Sequence, residues 1–222
     1  MISDTENKEL VFGPKTSTKK IFTLDKKTNV YLKFDELKSL VVTSVEEKEI
    51  TIKVFTDLNE DVENLINFKV DVSRWLDIFV THKRGKKTPT SHLHVVLSLP
   101  KTFLYDLELE GKTNSLTMYH CIHAHTEYNG NVDKVLLFDL CGDLELDSNS
   151  KMEITYDGSL TKLDINQINS STNLMLAKGA NTYIYTANKS CDLVLIGCVN
   201  NVNSTHFIEL NGKNSHLIAR NE

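Results

Sequence analysis

The stretch Asp143-Leu144-Glu145-Leu146-Asp147-Ser148-Asn149-Ser150-Lys151-Met152-Glu153-Ile154-Thr155-Tyr156-Asp157-Gly158-Ser159, followed shortly by Lys162-Leu163-Asp164-Ile165, decides the fold. Each short run carries one apolar-x-apolar pair, and polar corners separate the runs. Side chains alternate across a strand, so each pair buries two residues while the residue between them faces water. The same unit is read at Leu107/Leu109, Leu116/Met118, Ile122/Ala124, Leu174/Leu176, Tyr183/Tyr185, Leu193/Leu195 and Ile208/Leu210. From Leu144 to Leu193 successive pairs start 8, 11, 11, 9 and 10 residues apart. Two such strands per coil give a repeat of about 20 residues, and a coil that cannot cover its own apolar side must stack on another.

The spacing therefore predicts an all-β protein whose C-terminal half is a short-strand, repetitive β-solenoid. An antiparallel β-sandwich is the alternative, since strands every 8 to 12 residues or so also describe sandwiches. Brevity of the strands favours the solenoid, as does the lack of a hairpin dipeptide between every pair. All three prolines lie in the first hundred residues and 15 of the 20 asparagines lie after them. Proline cannot donate into a ladder and asparagine tolerates left-handed corners, so the shift marks where tight repeats begin.

Upstream, β-branched and aromatic alternation predicts strands at Lys20 to Leu24, Asn29 to Phe34, Leu40 to Val45, Glu49 to Phe55, Phe68 to Val72, Leu76 to His82 and His92 to Leu99. A helical turn fits only within Leu58 to Asn67. The expected organisation is a polar tail over 1–19, a β-rich part over 20–100 and repeats over 101–222.

A net charge of -5 and a pI near 5.9 argue against a nucleic-acid binder. The basic run Lys83-Arg84-Gly85-Lys86-Lys87, followed by Thr88 and Pro89, reads as a solvated hairpin tip. No stretch approaches the ~18 apolar residues of a membrane helix, and the acidic start Met1-Ile2-Ser3-Asp4-Thr5-Glu6 lacks a signal peptide's pattern. As given, the chain is expected to be soluble and unexported. Cys121, Cys141, Cys191 and Cys198 form no CxxC and read as reduced thiols.

His94-Val95-Val96-Leu97-Ser98-Leu99-Pro100, then Leu104-Tyr105-Asp106-Leu107-Glu108-Leu109, then repeated apolar-x-apolar strands with Gly, Asn and Ser corners, resembles the bacterial putative-adhesin family of repetitive β-solenoid domains. The resemblance spans roughly Thr23 to Ile218, with Asn replacing many of the family's Gly-Asp and Ser-Gly corners. It implies a surface or envelope-associated scaffold with no assigned catalytic residues.

Several clusters invite chemistry. On an extended strand Cys121, His123 and His125 would share one face, and Cys with His suits zinc or copper. Neighbours two apart sit roughly 6 to 7 Å from each other, so the expected arrangement is an exposed row beside an inward Ile122/Ala124 pair. His92 and His94 form a similar outward row beside Leu93 and Val95. Asp143, Glu145 and Asp147, like Asp106, Glu108 and Glu110, read as a solvated acidic face rather than a calcium or glycosidase site. Trp75 reads as packing at the N-terminal end of the core. No nucleophile elbow, phosphate loop or dinucleotide fingerprint occurs.

The expected function is a non-enzymatic scaffold that displays Asn, Thr, His and acidic side chains to a protein or cell-envelope partner, without cofactor, with self-association through open coil ends. A polysaccharide-acting β-helix enzyme and a metal module built on Cys121, His123 and His125 are the alternatives.

Overall fold

The computed structural model describes residues 18–23, 28–83, 92–198 and 200–221. The 1–17 part of the expected tail and residues 84–91, which hold most of the basic run, lie outside the described residues. The chain is all-β: β1 (Thr18–Thr23), β2 (Val30–Val45), β3 (Glu49–Thr56), β4 (Ile66–Val72), β5 (Leu76–His82), β6 (Leu93–Pro100), β7 (Leu107–Tyr119), β8 (His125–Asn129), β9 (Val132–Phe138), β10 (Asp143–Asp147), β11 (Met152–Tyr156), β12 (Lys162–Ile168), β13 (Ser171–Leu176), β14 (Tyr183–Thr186), β15 (Cys191–Ile196), β16 (Phe207–Lys213) and β17 (Ser215–Asn221). One helical turn, α1 (Val62–Leu65), falls inside Leu58 to Asn67. The two strands expected over Asn29 to Val45 are one long strand, β2.

The strands form two ladders. The first runs β4, β5, β2, β7, β8, β10, β12, β16, β14. The second runs β1, β3, β6, β2, β7, β9, β11, β13, β17, β15. Because β2 and β7 are long enough to belong to both, bending where their register shifts between Lys33 and Glu36, the ladders join into a nearly closed, barrel-like sheet. Among the described residues antiparallel pairing is confined to β1 with β3, β3 with β6 and β4 with β5.

Every strand pair formed wholly after Pro100 is parallel, which overturns the antiparallel sandwich for that half. Parallel partners require a crossover, and from β8 to β13 each crossover contains one strand of the opposite ladder. Chain order and spatial order part company at the end: β16 and β17 insert between β12/β13 and β14/β15, so β14 and β15 are outermost.

Inward side chains line up across rungs. In the second ladder Val95, Leu40, Leu116, Val135, Ile154, Leu174 and Ala219 lie in one register row, and all are buried in a single apolar cluster with the first ladder's Leu32, Leu109, Tyr128, Leu146, Ile165 and Leu210. Burial of each aliphatic side chain contributes roughly 1.5–3 kcal/mol. Where the chain turns from first to second ladder, backbones pass very close. At Gly130 a Cβ would lie 1.7 Å from the Gly111 carbonyl oxygen, and φ is +148°, so only glycine fits.

Three assignments of side chains to the inner or outer face are corrected. Ile122 and Ala124 are exposed whereas Cys121 and His123 are buried, because this segment is a corner and His120, at φ 56°, reverses the alternation. Ile184 is the buried residue of β14, and Tyr183 and Tyr185 face outward. His94, expected outward, is 7% exposed.

Candidate functional site

The outer face of the first ladder carries one register row that runs Asp71, Asp77, Tyr31, Glu108, Glu127, Glu145, Asp164, Glu209, Tyr185. Adjacent strands lie about 4.8 Å apart, so five successive strands each place a carboxylate above its neighbour. One end of this run is neutralised. Lys162 forms ion pairs with Asp164 at 2.9 Å and Glu209 at 2.6 Å, and the Tyr185 hydroxyl donates to Glu209 at 3.2 Å. Beside the row, Glu110 accepts from Lys33 at 2.5 Å and from the Tyr31 hydroxyl.

The middle differs. Burial, then Glu127, Glu110 and Asp77, push the Glu108 carboxyl above its ordinary value, and burial, then Asp147, Glu127 and Asp164, do the same to Glu145. Burial also raises Asp164, while in Glu209 burial, the largest single influence, is outweighed by Lys162, Tyr185 and Asp164 acting together, which hold the carboxyl low. Like charges facing water in one line are an arrangement that a cationic or donor-rich partner relieves.

A second row runs Glu110, Asn129, Asp147, Asn166, Asn211. It borders an open groove of about 490 Å³ at the corner between the ladders, and a neighbouring groove of about 590 Å³ shares Asn149 with it. Of the expected acidic residues, Glu145, Asp147, Glu108 and Glu110 thus lie on this face, and Asp143 pairs in register with His125 of β8.

The Cys/His candidates go elsewhere. The Cys121 thiol donates toward the Val42 carbonyl at 3.6 Å, and burial pushes its pKa up to about 12, so it is no nucleophile near neutrality. His123 is 2% exposed; its Nε2 meets the Thr126 hydroxyl and its ring lies edge-to-face on Phe103 at 5.8 Å. Burial, with a smaller contribution from His125, lowers the His123 pKa to about 4. Among the described residues no three His, Cys, Asp or Glu side chains are grouped to hold a metal ion. Trp75 is half-buried in the turn between β4 and β5.

Sequence reasoning missed one constellation. Ser39 Oγ lies 2.7 Å from His94 Nδ1, and His94 Nε2 lies 2.9 Å from Asp57 Oδ1. Asp57 also accepts from Lys38 at 2.6 Å, and that bond, against burial and with His94, lowers its carboxyl to about 2. The order Ser-His-Asp is that of a hydrolytic triad, but β6 and β7 flank Ser39 on both sides. Ser39 therefore sits in the middle of paired backbone rather than on the exposed turn that carries a hydrolase nucleophile. The relay instead pins the segment after β3 onto the second ladder. No sequence signal marks it, because the partners are 55 and 37 residues apart in the chain.

No protein-family model matches this chain, and no curated protein matches it. Solved structures similar to it include a putative adhesin from Bacteroides fragilis NCTC 9343, at 9% identity and a TM-score of 0.48 over 94% of this chain and 98% of that one. A putative cell adhesion protein from Clostridium sporogenes ATCC 15579 is 11% identical, with a TM-score of 0.41 over 93% and 100%. A putative lipid binding protein from Parabacteroides distasonis ATCC 8503 is 10% identical, with a TM-score of 0.39 over 94% and 97%.

Proposed function

We propose that this chain is a non-enzymatic, adhesin-like binding scaffold, built as a solenoid of two-strand coils, that presents the outer face of its first ladder to a protein or cell-envelope partner. The coil description is supported by register: parallel partners are 18 residues apart at His125 and Asp143 and 19 apart at Asp143 and Lys162. A repeat of about 20 residues is what two strands and two corners require. The functional reading is carried by one observation, the aligned carboxylates Glu108, Glu127 and Glu145, repeated at strand spacing and in no ion pair among the described residues. Binding through a regular charged face needs only rigid display, which a parallel sheet with a filled core supplies.

A second reading has one observation in its favour. Neighbouring carboxylates about 4.8 Å apart, with Glu145 raised, approach the ~5 Å separation of a retaining glycosidase. Those side chains project side by side from one sheet face, however, whereas glycoside cleavage needs carboxyls on opposite sides of the scissile bond. The test immobilises the full chain and a Glu127→Lys/Glu145→Lys variant and exposes both to solubilised cell-envelope fractions. Capture by the wild type and loss in the variant is the expected result; equal capture by both overturns the reading.

A further inference from the structure

We propose that the corner groove between the two ladders binds a linear, hydroxyl-rich glycan, an assignment that rests on the scaffold reading and names its ligand class. The groove is built by repetition. Asn129, Asp147, Asn166 and Asn211 occupy equivalent positions on four stacked strands, at the ends of β8 and β10 and two residues before the ends of β12 and β16. Asn149 continues the lining into the second groove, which is bounded by Asn169, Asn214, Lys151 and His216.

Neighbouring carboxylates orient the amides. Asn129 Nδ2 donates to Glu127 Oε1 at 2.7 Å, and Asn166 Nδ2 donates to Glu145 Oε1 at 2.7 Å. A carboxylate only accepts, so each amide must turn its NH₂ toward the glutamate and its carbonyl oxygen away from it. Between them Asp147 Oδ1 is buried and has no hydrogen-bond partner among the described residues. The strip thus repeats acceptor oxygens on successive strands, about 4.8 Å apart. In the adjoining groove Asn214 Nδ2 donates to Asn169 Oδ1 at 2.9 Å, and Lys151 and His216 add donors.

This chemistry selects against most ligand classes. An anion would face Asp147 and Glu145. An apolar ligand would strand the amides without partners. A transition metal finds no cluster of its usual ligands among the described residues. A chain of sugar rings offers hydroxyl donors at a repeat close to the strand spacing and ring oxygens as acceptors. The volumes fall within the ~300–1,000 Å³ of small-molecule sites, and the open form suits a chain lying along the groove instead of an enclosed monosaccharide.

The test titrates the full chain with end-labelled linear hexasaccharides of glucose, mannose, galactose and N-acetylglucosamine, followed by fluorescence polarisation, with spermine and calcium chloride as separate probes. The expected result is a Kd below roughly 1 mM for at least one hexasaccharide, weakened about tenfold or more by Asn129→Ala with Asn166→Ala. Asn173→Ala, on the second ladder, should leave that affinity unchanged. Should the double variant melt early, Asn166→Ala by itself must still weaken binding by about threefold. Absence of binding by all four sugars overturns the proposal, as does binding indifferent to the groove variants, or binding of spermine or calcium only, abolished in Asp147→Asn. Release of shortened sugars would sink the scaffold reading while leaving the groove assigned. Partner capture through the glutamate row without sugar binding would sink the groove assignment and spare the scaffold.

Discussion

The Asn200 side chain closes the edge of β14 by pairing with both backbone groups of Ile184: its Oδ1 accepts the Ile184 N–H at 2.7 Å, and its Nδ2 donates to the Ile184 carbonyl at 3.0 Å. One amide stands in for an adjacent strand at the outermost position of the first ladder. Unpaired edges template association between chains, so this contact is expected to oppose it. Asn200→Ala should cost about 1–3 kcal/mol in urea unfolding, for two hydrogen bonds. It should also shift the protein toward higher mass in light scattering at raised concentration. Unchanged stability and mass would assign the edge protection elsewhere.

Inward and outward positions of one strand should respond very differently. Leu174 of β13 is 2% exposed, while Asn173 beside it faces outward. Leu174→Ala should cost about 2–5 kcal/mol, and Asn173→Ala should stay within about 1 kcal/mol. Equal shifts of the two urea midpoints would contradict the register.

Gly130 is expected to tolerate no side chain. Its left-handed backbone and the 1.7 Å approach of a Cβ to the Gly111 oxygen place strain and overlap in one substitution. Gly130→Ala should lower stability by more than about 2 kcal/mol, read by thermal or urea melts, and Gly179→Ala, where no atom lies within 4 Å, by less.

Acid should weaken the fold through His123. Its folded pKa is lowered to about 4, so between the ordinary imidazole value near 6.5 and about 4 the unfolded chain binds the proton that the folded chain refuses. This contribution is fully present above about pH 6.5 and is lost as pH falls toward 4, by roughly 3 kcal/mol at most. His123→Gln should flatten that part of the stability profile measured by urea titration at a series of pH values. A slope identical to the wild type's would remove His123 from the account.

The alternation of Leu144, Leu146, Met152, Ile154, Leu163 and Ile165 made the strands and their inward faces legible in the sequence, because period-two burial is a local property. What failed was decided by distant backbone. Ile122 and Ala124 fit the pattern, yet the left-handed turn at His120 reverses which side chains point in. Tyr183 and Tyr185 matched the pair as well, but their rings stack on each other at 5.2 Å and the Tyr185 hydroxyl reaches Glu209, contacts available only outside. His94 is buried because Ser39 and Asp57 satisfy both ring nitrogens. The asparagine enrichment after Pro100 was visible, but its alignment into a groove depends on which rungs are neighbours. The insertion of β16 and β17 ahead of β14 and β15 leaves no trace in local composition.

The display of Glu108, Glu127 and Glu145 as a binding face is tested most directly by carboxyl footprinting, in which exposed carboxylates are amidated with and without a captured envelope partner and located by mass spectrometry. The account predicts that partner binding protects Glu127 and Glu145 severalfold, while Glu153, exposed on the second ladder, labels equally in both states. Unchanged labelling of Glu127 and Glu145 in the presence of bound partner would contradict it.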